Sequence, residues 1–149
     1  MRNLLLAATT STALAGCEVP VMIAAAQNQG EMTGMFEITF PAVLLTQLET
    51  GEEELMTGQL IGHISGSSRY ELTGPTWGTC SGGLTADGIS TMTCENGVGW
   101  TIDLGEQETR MSGIEIQAGE VFGTQFISVF AWGNDASEVA VRAAIADYS

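Results

Sequence analysis

From residue 33 onward the chain turns roughly every 8–12 residues, and between turns its apolar residues recur at every second position. A polymer with that rhythm folds as short antiparallel strands. Phe36, Ile38 and Phe40 fall on one face with Glu37 and Thr39 on the other, and Pro41 ends the run. Residues 42–50 (AVLLTQLET) fit a strand or one to two helical turns. Further strands are expected at 55–65, 69–73, 77–84, 89–94, 98–104, 110–117 and 121–132. The breaks between them fall at Gly66-Ser67-Ser68, Gly74-Pro75, Ala86-Asp87-Gly88, Asn96-Gly97 and Ala118-Gly119-Glu120. The stretch 126–132 (FISVFAW) is apolar on both faces, as in a strand covered on both sides. Asp135 and Glu138 form a capping-box-like start. Val141, Ile145 and Tyr148 then recur at helical spacing, which predicts a helix over 136–147. The expected fold is mainly β: one antiparallel sandwich or barrel-like meander with a short C-terminal helix. It would occupy residues 33–149.

Charge narrows the function. Among 149 residues there are 18 acids and 4 basic residues, all arginine, for a formal net charge of -14. Nucleic acids and polybasic lipid docking both need cations facing phosphates, which this chain lacks. Without lysine, Schiff-base and P-loop chemistry are excluded. The acids spread from Glu18 to Asp147, which favours adaptation to a saline habitat over a dedicated face for a cationic partner.

The first residues carry an address. Arg2 gives a positive start, Leu4 to Ala15 an uncharged apolar stretch, and Leu14-Ala15-Gly16-Cys17 closes it. This order resembles the signal peptide and lipobox of bacterial lipoproteins. The resemblance implies removal of residues 1–16 and acylation (palmitate and related chains) of Cys17. Its bilayer partner would hold the chain through several acyl chains, because one alone binds marginally. Residues 17–32 would be a lipidated tether. Two alternatives are an uncleaved span over 4–26, which would bury Glu18 and Pro20, and an ordinary signal-peptidase site. Glu18 rather than Asp after the lipobox leans toward an outer-membrane location facing the periplasm.

Two cysteines remain, Cys80 and Cys94. In an exported, oxidising compartment an even pair is expected as a disulfide. A metal site is not expected, since there is no C-x-x-C and His63 is the sole histidine. Gly78-Thr79-Cys80-Ser81-Gly82 followed by Cys94-Glu95-Asn96-Gly97 is similar to a layout in small exported bacterial β proteins, which implies a stapled hairpin and carries no activity. His63 lies in an alternating strand and no G-x-S-x-G elbow exists, so no catalytic residues and no cofactor are expected. The leading expectation is a non-catalytic envelope lipoprotein, a structural or protein-interaction module with an envelope protein partner. The alternative is a periplasmic small-ligand-binding or enzyme-like domain, with Trp77, Trp100 and Trp132 lining a pocket and His63 assisting. Replacing Cys17 by serine (Cys17→Ser) should move the protein from the membrane to the soluble fraction; a variant that still sediments with membranes would end the anchor reading.

Overall fold

A computed structural model describes residues 18–148. The leader, 1–16, and Cys17 lie outside the described residues. The elements run α1 (Glu18–Gln27), β1 (Glu31–Gly34), β2 (Glu37–Leu48), β3 (Glu53–His63), β4 (Ser68–Gly74), β5 (Gly78–Leu84), β6 (Ile89–Cys94), β7 (Gly99–Asp103), β8 (Gly113–Val121), β9 (Thr124–Trp132) and α2 (Glu138–Tyr148). All strand pairs are antiparallel. The order is β7-β6-β5-β4-β3-β2-β9-β8, with β1 added beside β2. Chain neighbours are therefore sheet neighbours, save for the step from β7 to β8. There the two outer strands come back towards each other. A Cβ placed on Gly119 of β8 would stand 3.2 Å from Ile102 of β7. The result is a nearly closed eight-stranded barrel with one extra strand, mainly β as the alternation required.

β2 anchors this arrangement. It pairs with β3 from Glu37 to Gln47. Along its other edge it pairs first with β1, up to Thr39, and then with β9, from Ala42 to Leu48. Pro41 falls in the gap between these two partners, a place where a residue without an N–H is tolerated, so the strand continues past it. Residues 42–46 are all buried. Ala42 and Leu44 face the barrel interior with Met56, Leu60, Leu72 and Phe126. Val43 and Leu45 face outward, under Val141 and Ile145 of α2 with Val129 and Ala131 of β9. Two buried faces erase the period-two signal, which is why the sequence left this stretch open. β9 is covered on both faces, as expected.

Several boundaries differ from the sequence reading; β8, for example, starts at Gly113 rather than at Arg110. Residues 17–32 are expected as tether; α1 and the start of β1 fall within them. Gln29 adopts a positive φ of 60° and Gly30 N–H donates to Ala25 O at 2.7 Å, which closes the helix end. Ala25 packs against Ile38 and Phe40. The break between β8 and β9 falls at Phe122-Gly123, with φ of 51° and 78°, rather than at 118–120. The cap of α2 is Ser137, whose hydroxyl accepts Ala140 N–H at 3.1 Å. Asp135 instead accepts a hydrogen bond from the Ser112 hydroxyl at 2.7 Å.

One end of the barrel is filled. Leu48, Trp77, Val98, Trp100, Val121 and Phe126 converge there. Trp100 stacks tilted on Phe126, ring centres 4.6 Å apart, and meets Trp77 edge-on at 6.1 Å. Glu54, 2% exposed, accepts the Thr76 and Trp77 N–H groups, each at 2.9 Å, and so pins the turn that carries Trp77. The Cys80–Cys94 disulfide joins directly opposed residues of β5 and β6, as expected. Its loop should contribute about 3 kcal/mol by the chain-entropy model, so the double Cys80→Ser, Cys94→Ser variant should lose about that much in a denaturant titration. A loss near zero would show that the cross-strand pairing holds the hairpin without it.

Candidate functional site

The opposite end of the barrel is not filled. It holds a cavity of about 130 Å³ bounded by Leu44, Leu60, Tyr70 and Phe130, with Ser90 and Gln117 also on its wall. The mouth is formed by the β3–β4 hairpin, the start of β8, the end of β9 and the connection 104–112. That connection is the longest between strands of the barrel, because it spans the one seam where consecutive strands are not paired. Its geometry is set locally. Gly105 N–H donates to Asp103 Oδ1 at 2.9 Å, Gln107 donates its amide to Leu104 O at 2.8 Å, and Leu104 N–H donates to Gly88 O at 2.9 Å. Gly88 has a φ of 91°, and a Cβ there would collide with the Gly105 carbonyl, so glycine is required at this crossing.

Three aromatic rings line one wall. Tyr70 and Phe130 have centroids 5.4 Å apart, and Phe130 and Trp132 6.0 Å apart. The Arg110 guanidinium sits over Trp132, 5.7 Å from the ring centroid, while Trp132 Nε1 donates to Arg110 O at 3.0 Å. Arg110 Nη2 lies 3.7 Å from Glu115 Oε2. Gln117 is 8% exposed, and its Oε1 has no hydrogen-bond partner. A buried acceptor left without a donor costs about 1–3 kcal/mol, so its retention on a cavity wall needs a reason.

His63 and Trp132 both line the cavity. His63 stands at the rim. Its Nδ1 accepts Ser65 N–H at 3.1 Å and lies 2.8 Å from Ser65 Oγ, a contact two residues apart inside a tight turn. Phe36 meets its ring edge-on at 6.3 Å. Trp77 and Trp100 do not belong to this site; they pack in the filled end. The four residues singled out from sequence are thus split between the two ends. Tyr70, Arg110, Glu115, Gln117 and Phe130 were not anticipated. Their signal was present in β8, where Ile114 and Ile116 alternate with Glu115 and Gln117. The isoleucines pack outward beside α2, so the polar pair faces inward.

Among the described residues no group of three or more His, Cys, Asp or Glu side chains could hold a metal ion. No described helix is long and apolar enough to cross a membrane. No protein-family model matches the chain, and no curated protein or solved structure matches it.

The floor of the site has a measurable signature. Burial pushes the Tyr70 phenol up to about 12 from an ordinary value of 10.0. The Tyr70 hydroxyl donates to Thr91 O at 2.5 Å. Above the ordinary value the unfolded chain loses this proton while the folded one keeps it. Stability should therefore be fully present below pH 10 and fall as pH rises towards 12. The chain has no lysine, so few other groups titrate in that window. Tyr70→Phe should flatten the alkaline loss in thermal unfolding measured across this range; an unchanged slope would place the titration elsewhere.

Proposed function

We propose that this chain is a non-catalytic binding protein of the cell envelope, lipid-anchored through acylated Cys17 on the outer membrane and facing the periplasm. Its barrel takes a small, mostly apolar molecule through the open mouth. The observation that carries the reading is the contrast between the two ends. Interiors of small barrels are filled by side chains or hold one small ligand. Here one end is packed with two tryptophans and a disulfide, and the other keeps a cavity of about 130 Å³ walled by aromatic and aliphatic groups. That volume is comparable to the ~150 Å³ engineered apolar cavity that accepts benzene. The ligand would therefore be about one ring or a short chain in size, with any larger part left outside.

A second reading, a module that docks an envelope protein, is favoured by Met35, Phe36 and Ile64. They are 82%, 49% and 65% exposed and lie around the β1–β2 and β3–β4 turns. Ile64 N–H donates to Phe36 O at 3.1 Å, which joins the two turns into one apolar rim.

The test of the first reading is ligand-observed NMR of the mature chain against single-ring alcohols, amides and amines. Binding should be saturable in the wild type. It should weaken about tenfold in Phe130→Ala, which removes one aromatic wall. No saturable binding across that set would sink the reading.

A further inference from the structure

Arg110 is an unusual lid residue. It belongs to the connection 104–112, yet it turns back over the mouth and places its guanidinium between the Trp132 ring and the Glu115 carboxylate. Its side chain is 47% exposed, so it enters this niche from the solvent side. The ion pair is loose, at 3.7 Å, and its backbone, rather than its charge, is what the Trp132 Nε1 bond secures. The niche is therefore a cation site that the fold fills with its own side chain. An aromatic face beside a carboxylate attracts organic cations. Below it, the orphaned Gln117 Oε1 offers an acceptor to an N–H donor. The surrounding field has the same sign preference. The chain carries a formal charge of -14, and Glu108 joins Glu115 on the cavity wall. An anionic ligand would meet an arginine already facing a carboxylate.

We propose that the barrel mouth binds a small organic ammonium ion, one ring or a short chain in size, whose charged group displaces Arg110 from between Trp132 and Glu115. This rests on the binding reading above and adds the ligand's charge and the residues that select it. Glu115 and Trp132 are the selecting groups, and Arg110 is the competitor.

Three probes of one size separate the possibilities: benzylammonium, benzyl alcohol and benzoate, titrated into the mature chain at low salt by ligand-observed NMR. Benzylammonium should bind about tenfold more tightly than benzyl alcohol, with benzoate weakest. Glu115→Gln should cancel the difference between benzylammonium and benzyl alcohol, and Glu115→Asp should keep it. Arg110→Ala should strengthen benzylammonium binding several-fold by removing the internal competitor. A thermal unfolding transition retained in each variant shows that the barrel is intact. Binding of benzyl alcohol without a preference for the ammonium would overturn this inference and leave the binding reading standing. Preference for benzoate, or weaker ammonium binding in Arg110→Ala, would also overturn it, because Arg110 would then be an anion receptor. Silence for all three probes in the wild type would overturn both readings.

Discussion

The pairing of β2 with β9 is the constraint on which everything else depends. It joins Ala42–Leu48 to Phe126–Trp132, and so links the start of the meander to its end. Without it the sheet divides into the β1–β7 meander and the β8–β9 hairpin. At its centre Thr46 and Ser128, both 0% exposed, bond through their hydroxyls at 2.6 Å. The two residues are 82 positions apart in the chain, so this contact carries a higher closure cost than a local hairpin does. Burial on both faces offsets it. The inner faces join the barrel core and the outer faces receive α2 through Val141 and Ile145. Arg142 ties α2 to Glu53 of β3 at 2.9 Å and, within the helix, bonds Glu138 at 2.7 Å, both exposed contacts that water screens. Hydrophobic cover, not charge, holds the seam.

Legibility in the sequence followed this division between local and distant causes. The hairpins at Asp87-Gly88 and Asn96-Gly97 and the alternation in β3, β4 and β6 are set by neighbours in the chain, and each is visible there. The cysteine pairing is expected from an even pair in an exported chain, and the hairpin at Asp87-Gly88 sets the two directly opposite each other. What could not be read depends on distant cover. Residues 42–46 look equally suited to helix and strand because α2, about 100 residues further on, buries their second face. The α1 segment looks like a tether because its anchor, Ala25 against Ile38 and Phe40, is a single small residue. The cap of α2 was misplaced by two residues because Asp135 has a better partner in Ser112, far away in sequence.

The cavity was obscured for the same reason. An alternating strand is normally read with its apolar residues inward. In β8 that rule inverts, since Ile114 and Ile116 find apolar cover outside the barrel. Glu115 and Gln117 are then carried inward by register alone. Tryptophan was the natural residue to suspect, and only Trp132 lies at the cavity. Trp77, in the β4–β5 turn, and Trp100, near the start of β7, both fall at the filled end.

The polarity of the barrel also sets where the N-terminal segment meets it. Asn134, just past the end of β9, donates to Gln27 O at 2.9 Å, so the C-terminal end of α1 is fixed beside the strand end that carries Trp132. The chain thus reaches the barrel at its open end, not at its packed one. The apolar rim at Met35, Phe36 and Ile64 stands at that end as well. The mouth is bordered by this rim, beside His63, and by the Arg110 connection. The connection carries Arg110, the competing charge, while the selecting Glu115 and Trp132 lie on β8 and β9. The packed end is closed by Glu54, the disulfide and the edge-to-face indoles of Trp77 and Trp100.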